Sequence, residues 1–171
     1  MQQLIGKYNV LNWYWFVGGN TSQVYSSLQA QYVPSSDATY LAWTANNTTT
    51  NILNATELFQ VLSLQWIPLM FAAGISLTSI NTPALNGNYP LDPQSQAYIT
   101  SIAASIAAGK GLPGKGSRRL SFIFNGTSFT SADFLNFAAA VRDYVYNLVQ
   151  DLQQIVDTGT GSLPSSSITI P

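Results

Sequence analysis

The chain has 171 residues, 46% of them hydrophobic and 12% aromatic, which is enough to bury a core and too apolar for a disordered chain. Only 8% of residues are charged and the net charge is −1, so no field steers nucleic acid or an acidic substrate toward it. With no cysteine and no histidine, disulfides, thiolate chemistry, His-ligated metals and histidine acid–base catalysis are excluded. Ordinary soluble domains carry about 25% charged residues. Here Ser, Thr, Asn and Gln supply the polarity instead, a balance suited to a protein that hides much of its surface in an assembly.

Residues 1–12 read as a lead-in with no basic segment running into a long apolar one, so no signal peptide is expected. Residues 13–17 form an aromatic, strand-like run ended by the turn formers Gly18, Gly19 and Asn20. Residues 24–26 and 31–33 supply two further short strands, closed by Pro34. Ser35 or Ser36 is placed to cap a short helix through Asp37, Tyr40, Leu41 and Trp43 that stops at Asn46 and Asn47. Asn54, with Glu57 three residues on, caps a second helix whose apolar face is Leu58, Val61, Leu62 and Leu64, ending before Pro68. Residues 1–66 are thus expected to form an N-terminal α+β module.

Residues 67–90 show no sustained period and are broken by Gly74, Pro83, Gly87 and Pro90, so they are expected to be an ordered, partly extended connector, although 75–80 alternates as a strand would. The most apolar window, 61–77, is interrupted by Ser63, Gln65, Pro68, Gly74 and Ser76, and no membrane span is expected. Asp92 before Pro93 signals a helix start, followed by the face Tyr98, Ile99, Ile102, Ala103 and Ile106 and a stop at Gly109. Residues 120–124 and 127–129 flank Asn125-Gly126 and read as a β-hairpin.

The hairpin feeds a long helix. Phe134, Ala138, Val141, Val145, Leu148, Leu152 and Ile155 step by four and three alternately, an apolar heptad seam that opens at Thr130 with Asp133 as a capping box and closes at Gly159. Residues 91–158 are therefore expected to form a helix–hairpin–long-helix domain, and 159–171 a tail with a small extended run at 168–170. The fold class is α+β.

No cofactor, metal or catalytic constellation is expected. Gly109-Lys110-Gly111-Leu112-Pro113-Gly114-Lys115-Gly116-Ser117 imitates a phosphate-binding loop, but Gly116 stands where the motif needs Ser or Thr, and a helix precedes it where a strand should. The carboxylates Asp37, Glu57, Asp92, Asp133, Asp143, Asp151 and Asp157 show no spacing that pairs two across a substrate. Trp13, Tyr14, Trp15, Tyr25, Tyr32, Tyr40 and Trp43 are of a type that stacks on sugar rings, and equally of a type that fills the core of a small sheet. The reading favours the core.

Two interaction sites are expected. Val141, Val145, Leu148, Leu152 and Ile155 leave an apolar stripe that must be covered, by a second copy of the helix or by the N-terminal module folding back. The 3.5-residue period favours self-association. The basic loop with Lys110, Lys115, Arg118 and Arg119 is the candidate contact for an acidic face of a partner.

The second half, through Thr82-Pro83-Ala84-Leu85-Asn86-Gly87, Leu91-Asp92-Pro93-Gln94-Ser95-Gln96-Ala97, Phe129-Thr130-Ser131-Ala132-Asp133-Phe134 and Ala138-Ala139-Ala140-Val141-Arg142-Asp143-Tyr144-Val145, resembles an uncharacterised domain family of bacteriophage and prophage proteins, often encoded near tail-fibre genes. The first half is similar to a short module at the start of such phage proteins, through Val17-Gly18-Gly19, Tyr32-Val33-Pro34 and Asp37-Ala38-Thr39-Tyr40-Leu41-Ala42-Trp43. The resemblance covers nearly the whole chain and brings no established chemistry to any residue. With the missing catalytic residues, it implies a non-enzymatic virion component of a tailed phage, made in the host cytoplasm and packed against other tail, fibre, baseplate or neck proteins; the heptad stripe adds a homo-oligomer, and the low charge no nucleic-acid partner. The alternatives are a tail-fibre assembly chaperone absent from the finished particle and a receptor- or glycan-binding tail protein.

Overall fold

The structure, a computed structural model, describes residues 9–113 and 121–171, and of Ser121 and Phe122 the backbone alone. The chain is α+β, as its patterning implies, and its described residues divide into two compact units. One takes the chain up to Leu69 together with Leu148–Leu163, and the other takes Met70–Asn147 with Pro164–Pro171.

The first unit is built on a four-stranded sheet, β1 (Tyr14–Val17), β2 (Gln23–Ser26), β3 (Gln31–Pro34) and β4 (Thr50–Ile52), in the order β3-β2-β1-β4. The first three are antiparallel, and β4 joins β1 in parallel. Successive strand residues point to opposite faces. Tyr14 and Trp15, and likewise Val24 and Tyr25, are all buried, so both faces of the sheet are covered. On one face Tyr14, Val24 and Val33 pack with Tyr40, Phe16 and Trp43, of which Tyr40 and Trp43 come from α1 (Ala38–Thr44). The other face carries the cross-strand row Trp15, Tyr25 and Tyr32, with ring centroids 6.2 and 5.4 Å apart.

Two helices follow β4 without a break in the helical path. α2 (Ala55–Val61) is capped by Asn54, whose side chain accepts from the Glu57 N–H, while the Glu57 carboxylate accepts from the Leu53 N–H. A single π-helical turn, Leu62–Trp66, then leads into α3 (Ile67–Ala73). The helix was expected to end before Pro68, but the wider turn lets it continue. Ile67 N–H bonds to the Leu62 carbonyl five residues back, and Pro68 falls in the first turn of the next helix, where its missing N–H and its ring are tolerated.

The second unit has a three-stranded sheet ordered β6-β5-β9, from β5 (Ile75–Ser79), β6 (Gly87–Tyr89) and β9 (Ser167–Ile170). β6 is antiparallel and β9 parallel to the central strand. α4 (Pro93–Ala107) starts at Asp92, whose carboxylate accepts from the N–H groups of Gln94 and Ser95. β7 (Ser121–Phe124) and β8 (Thr127–Thr130) form the hairpin, turned by Asn125 at φ 52° and Gly126 at φ 80°, the left-handed pair that a two-residue turn requires. Its core is aromatic: Phe129, Phe134 and Phe137 are fully buried around Tyr89, with centroids 5.0 to 6.0 Å apart.

The long helix is α5 (Ser131–Thr158). At its start the Thr130 hydroxyl accepts from the Asp133 N–H and donates to the Asp133 carboxylate. The units are drawn differently from the expected segments. Residues 67–90 are no connector, because β5, buried at alternate positions, is the middle strand of a sheet. The extended run expected at 168–170 is β9, so the end of the chain is the edge of that sheet and not a tail. α1 is capped by Asp37, which accepts from the Tyr40 N–H, and not by Ser35 or Ser36.

Candidate interaction surface

The expected subunit seam lies inside the chain. Leu148, Leu152 and Ile155 are 1%, 0% and 1% exposed and belong to the first unit. The Tyr32 hydroxyl donates to the Val156 carbonyl at 3.2 Å, so the aromatic row of the sheet meets this end of α5. Burial, and then the Asp157 carboxylate, push the pKa of Tyr32 upward and keep it a donor. Val141 is buried in the second unit and Val145 is half-buried. The self-association assigned to this stripe is corrected: the N-terminal module covers its last turns, and the apolar period reports packing within the chain.

Of the basic loop, Lys110 is exposed at the end of α4, its N–H bonded to the Ser105 carbonyl. Lys115, Arg118 and Arg119 lie outside the described residues. Six of the seven carboxylates are engaged locally. Asp37, Glu57, Asp92 and Asp133 serve helix starts, Asp143 pairs with its exposed neighbour Arg142, and Asp157 accepts from Gln153. Among the described residues no three acidic side chains gather, and no helix is long and apolar enough to cross a membrane.

The aromatic cluster is core. Tyr14, Trp15, Tyr25 and Tyr40 are buried, and Trp13 meets Trp43 edge-to-face at 4.9 Å while donating to Thr50. No ring face of that cluster's buried members is left for a sugar.

What remains outside is a set of large apolar side chains. Leu53, Leu64 and Ile80 are 81%, 78% and 70% exposed. On α5, in the second unit, Leu135, Ala139, Arg142 and Tyr146 are all exposed and follow one another at steps of four, three and four, so they line one outer face. Leu135 and Ala139 widen the apolar surface in the first half of the helix and are expected from the sequence to pack into a core, but the structure leaves both on the outside with Tyr146, and only Phe137 and Tyr144 of that wider surface are buried. Comparison with protein-family models, with curated proteins and with solved structures found no match to this chain.

Proposed function

We propose that the chain is a non-enzymatic structural subunit of a tailed-bacteriophage particle, part of its tail or tail fibres, working by packing against other subunits. The observation that carries this reading is the surface: six basic and seven acidic residues in 171, most of the described carboxylates held by local bonds, and large aliphatic and aromatic side chains left in solvent. Such a surface is poorly suited to a free monomer and well suited to burial in an assembly. The phage assignment rests on the sequence resemblance. The face with Leu135, Ala139 and Tyr146 is the contact we assign to a neighbouring subunit, since the inner seam is already covered.

Mass spectrometry of washed particles tests this. The protein is expected in the particle at a small multiple of the tail's symmetry, with Tyr146→Asp reducing its incorporation while leaving the fold intact. Recovery only from lysate, bound to unassembled fibres, would establish an assembly chaperone instead.

A further inference from the structure

Within the second unit, an open groove of about 290 Å³ runs between the first turns of α4 and the tip of the β7–β8 hairpin, lined by Gln94, Ser95, Tyr98, Ile123, Phe124 and Asn125. Gln94 and Tyr98 stand one helical turn apart and Ser95 three residues before Tyr98, so all three share a face, while Ile99 and Ile102 turn into the core. The hairpin side is fixed in place. Asn125 is held by the left-handed turn and by its Nδ2, which donates to the Asn88 carbonyl at 2.6 Å, leaving its Oδ1 able to accept. The Phe124 ring lies parallel to Tyr89, at 2° and 6.1 Å. Ser95 Oγ donates to Asp92 at 2.7 Å and keeps its lone pairs for another donor. The Gln94 carboxamide and the Tyr98 hydroxyl hold no hydrogen bond among the described residues, and the Tyr98 side chain is 56% exposed.

We propose that this groove is a binding site for a neutral carbohydrate, one or two pyranose rings long. A pyranose has an apolar C–H face and a rim of hydroxyls that both donate and accept. Tyr98 offers an exposed ring for the face, Ile123 and Phe124 an apolar floor, and two carboxamides with a serine the matching partners for the rim. No charged side chain lines the groove among the described residues, which disfavours phosphorylated or acidic ligands, whose charge would go unmatched. The volume is below the roughly 300–1,000 Å³ of drug-sized pockets, a fit for a short ligand. This site stands independently of the particle reading, because a groove that binds sugar does so in the free chain.

The test is an amide-detected NMR titration of the full chain with three probes, methyl α-glucoside, methyl β-galactoside and N-acetylglucosamine, each to about 10 mM, since a one-ring ligand with few contacts binds near ~1 mM. At least one probe is expected to give saturable shifts of the Gln94 and Asn125 side-chain amides. Tyr98→Ala should weaken binding at least ~10-fold and Tyr98→Phe should retain it, with spectra elsewhere unchanged because Tyr98 is exposed. The proposal is overturned if none of the three shifts those amides, if a neutral Gly-Ser peptide shifts them where the sugars do not, or if Tyr98→Ala binds as the wild type does.

Discussion

Gly74 joins α3 to β5 at φ +82°, and a Cβ built there would stand 2.6 Å from the Tyr89 carbonyl oxygen, a backbone atom of β6 that cannot swing aside. Gly74→Ala is therefore strained both by conformation and by contact. We expect it to lower stability by about 2–4 kcal/mol in urea denaturation. A change under about 0.5 kcal/mol would mean that β6 relaxes away from the turn. Asp92 gives a second residue-level expectation. Its bonds from the Ser95 hydroxyl, foremost, and from the Ser95 and Gln94 N–H groups favour the carboxylate and hold its pKa below the usual value. Because the folded pKa lies below the unfolded one, this contribution is complete above about pH 4 and is lost as pH falls through the lowered pKa. Asp92→Asn should flatten the dependence of the unfolding midpoint on pH in that acid range. An unaltered slope would remove Asp92 from the acid response.

At the scale of an element, α5 asks which partner its apolar side was made for. Phe134, Phe137, Val141 and Tyr144 are buried in the second unit and Leu148, Leu152 and Ile155 in the first, so one helical side serves two cores in turn. Leu152→Ala should cost about 2–5 kcal/mol, the range for deleting a fully buried leucine side chain. The loss should be the same at every protein concentration. A denaturation midpoint that climbs with wild-type concentration and ceases to do so in the variant would return the seam to a subunit contact. The hairpin and the starts of α2 and α5 were legible as local chemistry: Asn125-Gly126 needs no distant partner to prefer its turn, and Thr130-Asp133 and Asn54-Glu57 close on themselves. The π-helical turn was not, because the rule that proline ends a helix does not foresee one widened turn absorbing it.

For the whole molecule, the discontinuity of both units carries an expectation of its own. The first sheet's aromatic row of Trp15, Tyr25 and Tyr32 is completed by residues 148–163, so a fragment of residues 1–69 alone should show no cooperative thermal transition. Adding a peptide of residues 148–163 should restore one, and a fragment that melts cooperatively without it would show that α5 is dispensable to that core. What the sequence determined by itself is whatever rests on neighbours a few residues apart: the α+β class, the first three strands and the hairpin with their turns, the caps of α2, α4 and α5, the existence and length of α5, and the fact that its seam has to be covered. What only the tertiary structure decided is which surface does the covering. Hydrophobic burial is non-directional, so a heptad stripe satisfies a second copy or a folded-back module equally well, and spacing cannot choose between them. The extended run at 168–170 was legible, but its place in a sheet was not, because the backbone hydrogen bonds that make it a strand come from β5, far away in the sequence.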